Sequence, residues 1–152
     1  LFALMVQLGL TNSLFGLSLA YLTFTVPFCT WMLIGYFKGI PMELEEAALI
    51  DGCTRLGAMR RVLLPLAAPG LVAAAIFTFT LAWNEFLYAL IFVTSNSNKT
   101  LPPMIANLVR GDIYLWGPMM AGSIIAAAPV VVLYIISQRF VVQGLGAGAV
   151  KG

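Results

Sequence analysis

The sequence predicts an all-α protein that crosses a membrane several times as a polytopic bundle of transmembrane helices. Its 152 residues are 61% hydrophobic and only 9% charged, with a mean hydropathy of +0.98. A soluble domain carries about 25% charged residues, so this composition fits a lipid bilayer as the surrounding solvent. The first charged side chain in the sequence is Lys38, which leaves a long uncharged N-terminal stretch.

Three segments are long and apolar enough to cross the bilayer, for which a helix needs about 20 residues. They are residues 14–37, 67–93 and 118–138. The apolar run at residues 1–10 is shorter and is followed by a polar turn, Thr-Asn-Ser, at residues 11–13. We interpret this run as the end of another span, so three complete spans plus part of a fourth are predicted. Because the chain begins at Leu1 without a methionine, we expect N-terminal spans to be missing.

The positive charges predict the orientation of the chain, because Lys and Arg in short loops stay on the cytoplasmic side. Six of the eight Lys and Arg residues lie in the loop at 38–61 or in the segment after residue 138. The other two lie in the opposite loop, at 94–117. We therefore expect the 38–61 loop and the C-terminus to be cytoplasmic.

The composition also excludes several classes of function. The sequence has no histidine and no GxxxxGK[ST] loop, which excludes His-based triads, His metal sites and a P-loop nucleotide site. The two cysteines, Cys29 and Cys53, lie in too different surroundings to suggest a disulfide. A net charge of only +2 with scattered arginines gives no basis for nucleic-acid binding. We expect a non-catalytic membrane protein without a metal site.

The loop between the first two spans begins with a short acidic helix. Pro41 suits the first helical position, and Glu43, Glu45 and Glu46 lie near the positive N-terminal end of the helix dipole. Gly52 can adopt the left-handed conformation that ends a helix. The pattern predicts a helix that stops at this glycine.

A second loop helix is predicted after the glycine. Thr54 can cap it, it covers residue 55 to about residue 64, and Pro65 then ends or kinks it. In the first helix, Ala47 and Ala48 keep one face low enough for another backbone to approach. One interpretation is a solvated hairpin that its acids keep soluble. The other is a docking element, because a helix of about ten residues is marginal without a partner surface.

Seven loop residues stand at fixed gaps from one another. They are Glu46, Ala47, Ala48, Gly52, Val62, Leu64 and Pro65. This spacing resembles the EAA loop of binding-protein-dependent ABC importer permeases, whose pattern is EAA, three residues, G, nine residues, I, one residue, LP. Only valine in place of isoleucine departs from it. The resemblance implies a type I permease-like fold, and it implies that all of these residues except Val62 couple the chain to a cytoplasmic ATPase subunit.

Other stretches are similar to the carbohydrate-uptake branch of that family, especially its maltose-type subunits. They are "AWNEFLYALIF", "KTLPPMIANL" and the ending "GLGAGAVKG". The resemblance implies a permease transmembrane domain at residues 1–140, which includes the coupling loop at 41–65, and a cytoplasmic tail at 141–152. In the tail, it implies contacts with the ATPase at Gly146, Gly148 and Lys151.

The same resemblance implies the partners and the location of the protein. The partners are a second permease subunit, two cytoplasmic ATPase subunits that bind Mg–ATP, an extracytoplasmic solute-binding protein and membrane lipid. This chain would bind no cofactor of its own, and it would lie in the plasma (inner) membrane of a bacterium or archaeon. The solute would be a sugar or a related molecule, with polyols and glycerol phosphates also possible.

Three consecutive residues of the second span, Trp83, Asn84 and Glu85, are candidates for contact with the solute. A charged side chain near the bilayer centre costs about 2.5–3.5 kcal/mol on insertion scales, so Glu85 should face a cavity, a partner or the pathway. Asn84 and Glu85 can hydrogen-bond sugar hydroxyls, and Trp83 can stack on a sugar ring. Alternatively, Glu85 pairs structurally with another span or subunit.

A different class of protein, an ion-coupled secondary transporter with Glu85 as its ion site, is the main alternative function. Such a transporter would have broken helices at the bilayer midplane and a matching repeat. This alternative leaves the spacing of the loop residues unexplained. A membrane anchor or membrane enzyme is a third class, and the missing histidines and nucleophile motifs argue against the enzyme.

The outer loop is predicted to contain a short amphipathic helix, "MIANLVR", between Pro103 and Gly111. Met104, Ile105 and Leu108 would face the membrane. This helix either lies passively at the interface or helps to receive a solute-binding protein.

Overall fold

The computed structural model describes the backbone of residues 1–148 and the side chains of residues 1–138. Within these residues the chain forms helices, one π-helical turn and one small hairpin. In chain order they are α1 Phe2–Gln7, α2 Leu14–Lys38, α3 Glu43–Ile50, α4 Arg55–Ala58, the π-turn Met59–Leu63, α5 Leu64–Trp83, α6 Leu87–Phe92, α7 Leu101–Ala106, β1 Val109–Arg110, β2 Ile113–Tyr114 and α8 Trp116–Gly148.

Three helices are long and apolar enough to cross a membrane. They are Leu14–Lys38, Arg55–Trp83 and Trp116–Gln138. The all-α class and the first and third predicted spans are therefore confirmed. Large apolar side chains on these helices, such as Phe15 and Ile124, are exposed, as expected for helices whose surroundings are lipid and other helices.

The chain divides into two compact units. The first contains Leu1–Val26 and Phe79–Leu133, and the second contains Pro27–Thr78 and the described residues from Tyr134. The candidate solute residues Trp83, Asn84 and Glu85 belong to the first unit, and the EAA loop belongs to the second.

The core of the first unit joins α1, α2 and α6. Its buried residues are Met5, Leu17, Ala20, Ala89, Phe92 and Val93. A series of tilted aromatic pairs extends this core. The ring centroids of Phe24 and Tyr88 lie 5.8 Å apart, as do those of Tyr88 and Phe92, and Phe92 lies 5.6 Å from Phe2. These contacts hold the short helix α6 against α2.

Asn12, in the turn before α2, ties this turn to the outer loop. It adopts a left-handed conformation with φ of 57°, and its Oδ1 accepts hydrogen bonds from the backbone N–H groups of Thr94 and Ser95 at 3.2 and 2.9 Å. Its backbone N–H donates to the carbonyl of Phe92 at 2.7 Å, and its carbonyl accepts from Nδ2 of Asn98 at 2.8 Å. The turn was predicted, but its four bonds to residues 92–98 were not.

The second predicted span, 67–93, is wrong as a single helix. The structure ends α5 at Trp83 and starts α6 at Leu87. The polar side chains at the break explain the difference, because they bond to nearby backbone groups and so compete with a continuous helix. Nδ2 of Asn84 donates to the carbonyl of Thr80, and Glu85 caps α6.

Of the two expectations for Pro65, that it ends or that it kinks the second loop helix, the first is wrong. The chain stays helical from Arg55 to Trp83, passing through the π-turn, in which the N–H of Leu64 donates to the carbonyl of Met59 five residues back. Proline has no N–H, and its ring clashes with the carbonyl four residues earlier, here that of Arg61. The π-turn widens the helix at this point, and Pro65 occupies the first turn of α5, where proline is tolerated.

The outer helix is shorter than predicted, because α7 ends at Ala106 and a hairpin follows it. Val109 pairs with Tyr114, and Arg110 pairs with Ile113. Gly111 begins the two-residue turn with φ of +58°. β-branched residues on both sides of a Gly-Asp turn favour a hairpin over a helix.

In the second unit, Gly70 of α5 packs directly against the ring of Tyr36 in α2. A Cβ atom at position 70 would overlap the base of that ring, whereas a Cβ at Gly35 would meet nothing within 4 Å. The small residue at position 70 therefore permits the close approach of these two helices.

We predict that Gly70→Ala lowers stability by about 1–3 kcal/mol, the usual cost of overpacking. Gly35→Ala is the matched control and should be neutral or stabilise by up to about 1 kcal/mol, because alanine is the better helix former. Thermal unfolding of the detergent-purified protein measures both, and Tyr36→Leu should rescue Gly70→Ala. Equal melting temperatures for the two alanine variants would contradict the prediction.

Candidate functional site

The acidic helix α3 ends as the sequence predicts, at a left-handed glycine. Gly52 has φ of +87°. Its N–H donates to the carbonyl of Leu49, and the N–H of Cys53 donates to that of Ala48, both at 3.0 Å. This pair of bonds is a Schellman motif, which satisfies carbonyls at the helix end.

The second loop helix has the predicted cap and packs back on the first. Oγ1 of Thr54 accepts a hydrogen bond from the N–H of Gly57 at 3.1 Å. Helix α3 contacts both α4 and the π-turn, and Ala48 and Ala58 are buried. The loop is therefore a compact hairpin, and hydrogen bonds hold the turn at both of its ends, at the end of α3 and at the start of α4.

The EAA residues divide between the inside and the outside of this hairpin. Glu46, Ala47 and Gly52 are exposed, whereas Ala48 is buried. At Ala48 the close approach that small side chains permit is made within the hairpin, because α3 packs on α4 and covers this residue. Leu64 and Pro65 are exposed at the start of α5.

Apolar side chains surround the exposed EAA residues. Ile50 is 86% exposed and Met42 70% exposed, and Leu56 is also exposed. An exposed cluster of large apolar residues beside polar ones is typical of a surface that a partner protein covers. This surface favours the docking interpretation over the solvated hairpin.

In the first unit, Trp83 is held rigidly at the end of α5. Its ring stacks on that of Phe79 with centroids 5.4 Å apart and an interplanar angle of 20°. Its Nε1 donates to the backbone carbonyl of Ala126 at 2.9 Å. The indole is therefore fixed in orientation by α5 and α8.

Glu85 performs a structural task that the sequence analysis left open. Its Oε1 accepts from the N–H of Tyr88 at 2.8 Å, and its Oε2 accepts from the N–H of Ala89 at 3.0 Å. The carboxylate thus satisfies two unpaired N–H groups at the positive end of α6. The hydroxyl of Tyr21 lies beside the same carboxylate.

The structure does not bring Trp83, Asn84 and Glu85 into one site. Trp83 lines a cavity of about 430 Å³. The residues around this cavity are Leu14, Tyr21, Phe79, Ala82, Trp83, Lys99, Thr100 and Leu101. Asn84 lines a separate groove of similar volume beside Ser123 and Ala126. Glu85 lines neither, because its carboxylate faces the N-terminus of α6.

Three polar residues of this cavity, Tyr21, Lys99 and Thr100, were not predicted from the sequence. They come from α2 and the outer loop, far from Trp83 in the chain, and no local pattern marks them. The outer loop also carries Asn96 and Arg110 around another opening, next to α7 and β1.

Gly146, Gly148 and Lys151, the predicted tail contacts, lie outside the residues whose side chains are described. Among the described residues, no group of three His, Cys, Asp or Glu side chains is placed to hold a metal ion.

These features define the class of the protein as a helical membrane component with a structured loop between two of its spans. Residues 1–146 match the family described as the binding-protein-dependent transport system inner membrane component, and the chain belongs to that family. Although the break between α5 and α6 is a feature of some ion-coupled transporters, this membership argues against that alternative.

Curated relatives align along the whole chain. It is 43% identical to the inner membrane ABC transporter permease protein YcjP of Escherichia coli and 40% identical to the trehalose/maltose transport system permease protein MalG of Thermococcus litoralis. It is 44% identical to the sulfoquinovosyl glycerol transport system permease protein SmoH of Agrobacterium fabrum. Each alignment covers 100% of this chain and 54%, 55% and 53% of these relatives in turn, so the chain spans about half their length.

We predict that Glu85→Gln loosens the start of α6. The amide loses the charge and one acceptor oxygen, which should cost about 0.5–2 kcal/mol of local stability. Hydrogen exchange at the amides of Tyr88 and Ala89 should therefore accelerate, by about tenfold for ~1.4 kcal/mol. Glu43→Gln, in the first turn of α3, is the control and should leave these amides unchanged. Unaltered exchange in Glu85→Gln would disprove the capping role.

Proposed function

We propose that this chain belongs to the permease subunit of an ATP-driven importer of a sugar or sugar-like solute. Membership of the binding-protein-dependent family carries the proposal. The sugar class is supported by the relatives, whose names refer to trehalose and maltose, sulfoquinovosyl glycerol and diacetylchitobiose. The subunit would form its pathway with a second permease subunit and receive solute from an extracytoplasmic binding protein.

The EAA loop is the proposed contact with the ATPase. The distribution of Lys and Arg favours a cytoplasmic position for this loop, and Glu46, Ala47 and Gly52 are exposed beside apolar side chains. Hydrogen bonds hold the turn of the hairpin at the end of α3 and at the start of α4. The hairpin continues without a break into α5. A displacement of the hairpin therefore moves the span with it as a rigid body.

In this proposal the partner subunits, and not this chain, hydrolyse ATP. Two cytoplasmic ATPase subunits bind and hydrolyse Mg–ATP, and this chain catalyses nothing. Gly146, Gly148 and Lys151 of the tail remain proposed contacts with the ATPase, and Leu64 and Pro65 connect the hairpin to the span.

For the pathway, Trp83 and Asn84 are the proposed contacts with the solute. Trp83 presents a fixed aromatic surface to a cavity, and Asn84 is exposed in a neighbouring groove. We assign Glu85 to positioning, because both of its oxygens are bonded to the backbone of α6.

The first test is the energy source of transport. The full-length transporter, reconstituted in vesicles with its ATPases and binding protein, should take up maltose or trehalose when ATP is supplied and ion gradients are collapsed. Uptake that requires an ion gradient and ignores ATP would overturn the proposal in favour of an ion-coupled transporter.

The second test concerns coupling. Gly52→Ala forces a non-glycine residue into the left-handed region at a cost of about 1–2 kcal/mol, and Glu46→Ala removes an exposed contact. We expect the double variant to lose at least about tenfold in ATP-dependent uptake per complex, or to release the ATPase during purification. Gly35→Ala, which meets open space, is the control. Normal uptake by the double variant would contradict the coupling role.

A further inference from the structure

We propose that the cavity between α2, α5 and the outer loop is a binding subsite for the ring of a neutral or anionic carbohydrate. In this subsite Trp83 supports the apolar face of the ring, while Tyr21, Lys99 and Thr100 bond to its oxygens. This inference rests on the proposed function and adds the residues and the charge selectivity of the subsite.

The aromatic wall of the cavity is preorganised. The stack of Phe79 on Trp83 and the bond from Nε1 of Trp83 to Ala126 fix the indole before any ligand arrives. Binding to a fixed surface avoids the entropy cost of ordering a side chain. The cavity volume of about 430 Å³ lies within the range of about 300–1,000 Å³ that is usual for small-molecule sites.

Two hydroxyl groups that line the cavity form no hydrogen bond with the described part of the protein. Among the described side chains, three buried oxygens meet no hydrogen-bond partner, on Tyr21, Thr78 and Thr100. Two of these three residues line this cavity. A hydroxyl both donates and accepts, so Tyr21 keeps an acceptor for a sugar hydroxyl even when its proton turns toward Glu85. Buried polar groups without partners are uncommon in proteins, and a polyhydroxylated ligand would satisfy these two.

The charge of the residues that line the cavity restricts the class of ligand that the cavity can bind. Lys99 is the charged residue among those that line the cavity, and none of the lining residues is acidic. Its Nζ donates to Oδ1 of Asn96 at 3.0 Å, which leaves two of its three donor positions for a ligand. An ammonium group on a cavity wall that carries no carboxylate repels cationic solutes and accepts neutral or anionic ones.

The loop that carries Lys99 and Thr100 is held in place by the bonds of Asn12 to residues 92–98. The same turn leads into α2, which carries Tyr21. The two polar walls of the cavity are therefore fixed relative to each other within this unit. This is the arrangement that a site for one defined ligand requires.

Protection from labelling tests the subsite in the full reconstituted transporter. Cys29 and Cys53 are replaced by serine, Ala82→Cys is introduced in the cavity wall, and its reaction rate with a maleimide is measured. We expect maltose or trehalose, whichever is taken up, to slow this reaction, and protonated glucosamine to leave it unchanged. Ser97→Cys, outside the cavity, should react equally with and without sugar.

Variants then identify the residues responsible. Trp83→Leu should abolish protection, and Thr100→Val should raise the sugar concentration needed for it by about tenfold. Trp116→Leu and Thr78→Val are the matched controls. In these variants the sugar should protect the cysteine at position 82 as well as it does in the parent. Leu101→Cys, on the opposite wall, replaces Ala82→Cys if that variant does not assemble.

Two outcomes would overturn the subsite while leaving the proposed function intact. One is ATP-driven uptake of a sugar that gives no protection, or gives no more than protonated glucosamine does. The other is that neither Ala82→Cys nor Leu101→Cys reacts with the maleimide. That result would show that another part of the transporter fills the cavity. Loss of ATP-driven uptake in the parent transporter would instead overturn the proposed function.

Discussion

Every backbone N–H and C=O group inside a bilayer needs a partner within the protein, because hydrocarbon offers none. This constraint governs each place where the chain departs from a simple helix. At Pro65 the missing donor is accommodated by a π-turn, and at the break before α6 the carboxylate of Glu85 bonds to two backbone N–H groups that have no helical partner. Before α2, Asn12 fulfils the same requirement for the end of α6 and the outer loop.

The acid in the second span illustrates how this constraint shapes the candidate site. A charged Glu85 is costly in lipid. Its carboxylate nevertheless accepts hydrogen bonds from two N–H groups whose carbonyl partners are lost where the helix breaks. The break in turn lets α5 end at Trp83, whose ring faces a cavity rather than the next helical turn. Glu85, which the sequence offered as a solute contact, therefore bonds to the backbone instead. Trp83, two positions earlier, carries the aromatic surface of the cavity.

The EAA loop faces the opposite physical problem, because a short helix in water is unstable alone. Its Schellman motif, its threonine cap and the packing of α3 on α4 provide that stability within the hairpin. Apolar side chains such as Ile50 remain exposed after the hairpin has formed. A structure that satisfies its own backbone and still exposes large apolar groups is suited to be covered by another protein, which is the basis of the proposed contact with the ATPase.

The sequence by itself determined the helical class, two of the three spans, the caps of the EAA loop and the membership of a family, because these depend on local composition and spacing. Gly52 and Thr54 could be assigned from neighbours only a few residues away. The cavity and the burial of Ala48 were decided by tertiary structure, whereas the capping role of Glu85 is local but becomes visible only with the break between α5 and α6. Tyr21, Trp83 and Thr100 are distant in the chain, and only the packing of α2, α5 and the outer loop brings them to one cavity. Long-range contacts of this kind leave no periodic trace in a single sequence, whereas capping residues leave one at fixed spacing.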